Sequence, residues 1–556
     1  MAQNNISVQK MSVQTLLRTI SEGRFAIPKL QREFVWDGPK AAKLLDSMNA
    51  DMPVGVIMIW ETARSHRLHL RTRYHVLPPF NPRNGKVWFL IDGQQRVSVL
   101  HHVRECSTLR NWRDKEIDFR RVVFALETEE DGQQIRYRKP VRFQYESMTN
   151  VLHPQWQSRL SHLGARHKER VRKCRERIRQ YSMHLMFVEA KLGIMRESFL
   201  RINTQGMKIT TADAIFTRAE SLDLRDFRHE VQDHIDDEFG LIPEMPILFA
   251  MAAVHGATQP RGQALRQRIK ALEVDAENDL RFRKSLAQDW SRLGVCFGKA
   301  VDYLRENFSV LTRDYLYSDY MVAMLAFFHY WNNRRGPSAR QKELIRRWFW
   351  ATTVGSRYTG RNFLRCLPQD LKFFKRLAQN GSARFEYTPE IDKVDVRKAQ
   401  YASRTGITSA FYCMLFRRGP VSILDDGLNE IPLERYATRA NRKDRHHVFP
   451  RAVLAPKRIP ANLYNSVSNI CLLTADENQS IGSRRPRVYL GDVRDEGTYF
   501  NRKMARHLLP VNPDSSGIWA RNIRRGFTQF LRERTDLICR ALEEEAGIRL
   551  FRRDEM

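Results

Sequence analysis

The sequence predicts a multidomain α+β protein: a mixed α/β N-terminal domain, a helical middle, and a small domain of short strands with helices closing the chain. Three observations predict it. The chain has 556 residues, too many for one compact core at roughly 150 residues per domain. The apolar pattern changes along it, from strand-like runs among helices, to long helical stretches, to turns and short strands. Finally, 94 Lys and Arg stand against 63 Asp and Glu, a formal net charge of +31.

The first region covers residues 1–222. Val13–Ile20 is amphipathic and reads as a short helix that Gly23 ends. The stretch from Pro28 to Trp36 is extended, and Ala41–Met48 is helical. Val54–Trp60 and Val87–Ile91 are apolar and rich in β-branched residues, as buried strands are. Residues 153–180 read as a basic helix, with eight Lys and Arg against two Glu between Arg166 and Arg179. Such a face either contacts phosphates or is simply solvated.

Residues 223–400 are a helical connecting domain, with runs at Ala264–Leu272, Phe282–Leu304 and Gln341–Trp350. Residues 401–556 begin with turns, Pro and short strands. They end in an amphipathic helix over 515–547 with Phe527, Phe530, Leu531, Leu537 and Leu542 on its apolar face.

An excess of positive charge this large suits a polyanion, DNA or RNA first. Seven cysteines are widely spaced without a C-x-x-C pair, which argues against a zinc ribbon and for reduced thiols in a cytoplasmic protein. The N-terminus has no secretory pattern, and no apolar run reaches the roughly 18 residues of a membrane span.

Trp88–Leu100 reads as a strand, a tight turn and a helix start around Asp92-Gly93-Gln94-Gln95-Arg96. Gly93 permits close approach of backbone to a ligand. Helix-start N–H groups favour anions, and Arg96 can grip a phosphate. Gln94 and Gln95 can donate to oxygens or position a water, and Asp92 can hold a metal or orient Arg96. The same four letters recur at Asp131-Gly-Gln-Gln134, but alternating Ile135-Arg-Tyr-Arg comes next. That copy reads as a hairpin turn. No Walker-type phosphate loop is present.

Four segments occur in order: Pro28 to Trp36 with Gln31 and Arg32, Met52–Trp60, Ile91–Arg96, and Phe199 to Gly206 with Asn203. Together they resemble the N-terminal domain of GmrSD-type restriction endonucleases over roughly residues 10–220. The resemblance implies a ParB-like fold and a nucleotide-binding loop at Asp92, Gly93, Gln94, Gln95 and Arg96, supported by Gln31, Arg32 and Asn203. It implies NTP binding and hydrolysis, with the nucleotide unspecified.

Near the C-terminus stands Asp444-Arg-His446-His447-Val-Phe-Pro450. Asn469 comes 22 residues after His447, and Asn478 nine residues later. A histidine suits general-base work near neutral pH. Phosphodiester hydrolysis also needs a Lewis acid. The pattern resembles the HNH nuclease motif, which implies a ββα fold around one divalent metal. His447 would be the base, Asn469 the loop brace, and His446 and Asn478 the metal ligands. His446 departs from the acidic residue many relatives carry there, although His-His pairs occur in colicin-type enzymes. Mg2+ or Mn2+ is expected first, with Ni2+ or Zn2+ open because a ligand is imidazole. Arg439, Arg442, Lys443 and Arg445 flank the motif and are placed to hold a DNA backbone.

The expectation is therefore an NTP-regulated, metal-dependent DNA endonuclease or nickase in defence against foreign, including modified, DNA. Its partners would be DNA and a nucleoside triphosphate, with no membrane and with a homo-oligomer left open. Two kinds of rival stay open. One is a nucleic-acid-binding regulator or DNA-stimulated NTPase with a degenerate nuclease site. The other is an RNase or toxin.

Overall fold

A computed structural model describes residues 5–552 except 29–30, 32, 64–75, 82–85, 106, 111–115, 129–131, 142–143, 192–193, 196–197, 200–211, 213–214, 216–221, 223, 334, 434–435, 437–444, 497–498 and 514. The chain divides into two compact units, Met1–Asp226 and Phe227–Met556.

In the first unit β1 (Asn5–Ser12) runs into α1 (Val13–Ser21), with Ser12 capping the helix through Thr15 N. Gly23, at φ 67, turns the chain into β2 (Phe25–Ala26). Asp37 caps α2 (Gly38–Asn49), whose first turn carries a proline without an N–H to satisfy. Next come β3 (Val56–Ala63), β4 (Lys86–Asp92) and α3 (Gln94–Glu105). A small antiparallel sheet is built from β5 (Val122–Ala125), β6 (Ile135–Tyr137) and β7 (Tyr145–Ser147), with β5 in the middle. α4 (Ala165–Gln180) leads to β8 (Ser182–Glu189).

The main sheet has the order β1-β8-β3-β4-β2, parallel at β8/β3 and β4/β2 and antiparallel elsewhere. Alternation along β4 places its residues on two faces. Leu90 joins the core made with α1 to α4, whereas Val87, Phe89 and Ile91 pack with Trp60 in a second cluster. β4 therefore has apolar packing on both faces, and its C-terminal end delivers Asp92 and Gly93 to the start of α3.

The basic stretch at 153–180 is two helices, Trp156–Arg159 and α4, separated around Gly164. Several α4 cations are consumed within the fold. Arg172 bridges Glu169 and Glu176. Arg175 is buried against the Val151 carbonyl, and Arg170 donates to the carbonyls of Ala125 and Glu127.

The second unit starts within the helix Leu224–Asp233 and continues with α5 (Glu244–Val254), α6 (Gly262–Asn278), α7 (Leu280–Phe308), α8 (Tyr320–Trp331), α9 (Ala339–Val354) and α10 (Phe363–Asn380). Within it α11 (Gly406–Arg417) is a helix where the sequence suggested only turns and short strands. Its run Ala410–Phe416 is buried throughout, so no polar face marks the helical period. Then come β9 (Arg445–His447), β10 (Ile470–Leu472), α12 (Ala475–Ile481), α13 (Pro486–Glu496) and α14 (Ile523–Ala546). α14 packs on α9 and α11, so helices from both sides of residue 400 share one unit. The closing helix starts at Ile523, later than expected, and Leu537 is only half-buried on it. No helix among the described residues is long and apolar enough to cross a membrane.

Candidate active site and nucleotide loop

β9 and β10 pair antiparallel, with His446 opposite Cys471 and His447 opposite Ile470. α12 comes next, fixed by a capping box in which Thr474 and Glu477 exchange hydrogen bonds. The other oxygen of Glu477 accepts from Ser422 Oγ and from the N–H groups of Ile423 and Leu424. This buried carboxylate thus ties α12 to the 422–424 loop, leaving Asn478 in the helix's second turn.

His446 is 3% exposed. Its Nδ1 lies 2.6 Å from Asn478 Oδ1. Its Nε2 is buried without a hydrogen-bond partner among the described residues, and the ring stands edge-on to Tyr489 at 5.9 Å. Burial pushes its pKa down to about 4 and the neighbouring His447 adds to this, against the opposing bond to Asn478. The imidazole is therefore neutral at physiological pH, as a metal ligand must be.

His447 is half-buried, edge-on to Tyr401, with Nε2 3.0 Å from Asn465 Oδ1. An amide oxygen only accepts, so the proton sits on Nε2 and the Nδ1 lone pair remains available. Burial first, and Arg451 second, lower the pKa of His447, while the Asn465 bond raises it.

Asn469 is fully buried and makes three bonds. Its Oδ1 accepts from Phe449 N, and its Nδ2 donates to the carbonyls of Phe449 and Tyr464. It clamps the turn after His447 to the loop before β10. Tyr489 adds an O–H bond to Val448 O at 2.9 Å. Arg534 of α14 is fully buried and donates to the carbonyls of Ser468, Ile470 and His507.

Sequence reasoning missed Asn465, Tyr489, Glu477 and Arg534 as parts of this site. Arg534 had a readable signal: it is a charged residue amid the apolar face of α14, where the helical period calls for an apolar one. Arg445 donates to Tyr401 O and lies over the Tyr412 ring. Arg439, Arg442 and Lys443 lie outside the described residues. Among the described residues no group of three or more His, Cys, Asp or Glu gathers as a metal cluster. The convergent pair is one imidazole nitrogen and one amide oxygen. In the bond between them His446 Nδ1 carries the proton, because the amide oxygen only accepts, so a single divalent ion completed by water and phosphate oxygens would bind the pair by taking that proton's place.

In the first unit, Gly93 has φ 93, and a Cβ there would press on Ile57 at 3.1–3.2 Å. Gln31 Nε2 donates to the carbonyls of Leu90 and Ile91. Gln95 Oε1 accepts from Val35 N and Trp36 N, and its Nε2 donates to Glu33 O. Both glutamines thus lash the 31–36 segment to the strand and helix around the turn. Arg96 donates to Val54 O and Val56 O and pairs with Asp92 at 2.8 Å. A phosphate contact by Arg96 would have to displace those bonds. Gln94 is different: it is 3% exposed, and neither side-chain polar atom has a partner among the described residues. Ser98 Oγ, one turn on, is likewise buried and unpartnered. Arg32 and Asn203 lie outside the described residues.

Residues 13–219 match the family described as GmrSD restriction endonuclease, N-terminal domain. The span includes the whole Asp92–Arg96 loop, so the first unit is similar to the N-terminal domain of GmrSD-type restriction endonucleases. One relative extends over most of the chain: the protein is 20% identical to Uncharacterized protein MJ0686 of Methanocaldococcus jannaschii over 541 residues, covering 86% of each.

Proposed function

We propose that the protein is a restriction-type DNA endonuclease whose cutting centre is an HNH site formed by His446, His447, Asn469 and Asn478. The observation that carries this is the convergence of His446 Nδ1 and Asn478 Oδ1 at 2.6 Å beside His447. The GmrSD match of the first unit and the net charge of +31 support DNA as the substrate.

In this reading His446 and Asn478 hold the divalent ion, which supplies a Lewis acid when bound. His447 takes the proton from the attacking water at Nδ1 while Asn465 holds the ring and its tautomer. Asn469 keeps the turn that follows the base in place. Arg445, with Arg439, Arg442 and Lys443, serves the DNA backbone. Because both donors are neutral and one is imidazole, Mn2+ or Ni2+ should support more cutting than Mg2+.

We assign nucleotide control to the Asp92–Arg96 loop. The supporting observation is Gln94, since a buried amide without partners is costly and calls for a ligand. Plasmid cleavage with Mg2+, Mn2+ or Ni2+, with and without each NTP, tests both parts. His447→Ala should lower cutting by at least about a hundredfold, the scale of a general base. DNA binding should persist. Cutting that survives in His447→Ala would show that another residue is the base.

A further inference from the structure

Among the described residues of the second unit a cavity of about 350 Å³ opens beside the turn that follows His447. Its apolar lining includes Phe449, Val453 and Ile518, and three arginines surround it: Arg485, Arg487 and Arg521. All three are exposed, and none of their guanidinium groups makes a hydrogen bond or ion pair among the described residues. Asp492, the acidic residue at the cavity, is already paired with Arg484 at 3.2 Å.

Neighbouring arginines are employed otherwise. Arg524 donates to Lys457 O, Arg494 lies over Trp519, and Arg534 holds the β10 backbone. Three unpaired guanidiniums around one concavity repel each other and suit an anion with more than one phosphate group. A duplex backbone alone would not call for an apolar floor, because it presents only phosphate and sugar. A base turned out of the stack would, since it offers an apolar face to Phe449 and Val453 while its flanking phosphates meet the arginines. The volume falls within the range of roughly 300–1,000 Å³ for ligand pockets.

We propose that this cavity receives one unstacked nucleotide of the DNA strand that passes His447. The proposal rests on the reading of the protein as a DNA endonuclease. It makes the second unit sensitive to how readily a base leaves the stack near the cut.

The test is binding of the full chain, in EDTA to prevent cutting, to a fluorescent duplex that is either fully paired or carries one unpaired nucleotide. The wild type should bind the second about tenfold tighter, because the unpairing energy is already spent. Val488 lines the cavity and is 48% exposed, so Val488→Trp can fill it with little demand on the fold. That variant should lose the preference while binding the paired duplex normally. Arg487→Ala/Arg521→Ala should weaken binding to both and reduce the slope of log affinity against log salt by about one per arginine.

Equal affinity of the wild type for the two duplexes, or a preference that survives Val488→Trp, would overturn the pocket while leaving the endonuclease reading intact. No binding to either duplex would overturn both. A deoxynucleoside monophosphate that saturates the cavity without competing with DNA would overturn the proposal in favour of a free-nucleotide site.

Discussion

The letters Asp-Gly-Gln-Gln occur at 92–95 and at 131–134, and the two copies fold differently. In the first, Gly93 joins β4 to α3. Gln95 reaches back about sixty residues to Val35 and Trp36, and Gln94 is buried without partners. In the second, Gly132 sits at φ 76 in the β5–β6 hairpin, with nothing among the described residues near where its Cβ would be. Gln133 and Gln134 bond to carbonyls two residues away, and Asp131 lies outside the described residues. The tetrapeptide does not determine its own structure. The residues on its C-terminal side do: Arg-Val-Ser-Val-Leu continues as a helix, whereas Ile-Arg-Tyr pairs as a strand.

The largest expected difference between the copies is at glycine. Gly93→Ala combines a positive φ with contact on Ile57 and should destabilise the first unit by about 3–4 kcal/mol. Gly132→Ala meets open space and should cost only about 1 kcal/mol. Urea unfolding with hydrogen exchange read over 86–105 checks this; equal effects would mean that the β4–α3 turn does not constrain its glycine.

The next difference depends on pH, because only the first copy is followed by a helix that buries a histidine. His102, stacked on Phe119 and bonded to Ser107 Oγ and Val76 O, has its pKa pushed down to about 4. Burial is the main cause and the adjacent His101 adds to it, against the bond to the Val76 carbonyl. The unfolded chain takes up the proton near pH 6.5, well before the folded one. The stabilisation is therefore complete above that pH and is lost as pH falls to about 4, for a change of about 3 kcal/mol. His102→Gln should flatten the acid limb of a stability–pH curve; an unchanged limb would show that other groups carry it.

These contrasts also mark how far the residues could be read before the fold. The strand–turn–helix around Asp92, the hairpin at Gly132, and the short strand with His446 and His447 were legible, because period-two and helical patterns change sharply there. Asn465 was not, since neither spacing nor residue type sets it apart from ordinary loop residues, and although the run Arg485–Leu490 belongs to the HNH-type resemblance, nothing in it showed what Tyr489 would touch. Their roles arise only when β9, β10 and α13 pack together. α11 was hidden because burial on all sides removes the amphipathic signal. Arg534, by contrast, left a readable signal that went unused: a full charge inside an apolar face, tolerated because three backbone carbonyls accept from it.

A smaller effect separates Gln95 from its counterpart Gln134. Gln95→Ala removes three bonds that hold residues 33–36 and should cost about 2 kcal/mol. Gln134→Ala removes its local bond to Gly132 O and a contact with Arg170, and should cost less than about 1 kcal/mol. A double-mutant cycle with Glu33–Trp36 shortened or replaced would show whether the loss comes through that segment.

Gln94 gives the smallest change in stability and the sharpest functional contrast. Its amide is buried with both polar atoms unsatisfied among the described residues, so Gln94→Leu removes a penalty and should leave the ligand-free protein unchanged or more stable by up to about 1 kcal/mol. If a nucleotide satisfies that amide, the wild type should gain thermal stability with a matching NTP in proportion to its saturation. The leucine variant should gain much less. Gln133→Leu in the second copy should leave the nucleotide response intact, because its amide is already bonded to Ile135 O. An NTP-induced shift of equal size in wild type and Gln94→Leu would place the nucleotide away from Gln94. The buried amide would then be an unsatisfied group retained for another reason, and the two copies would differ in fold alone.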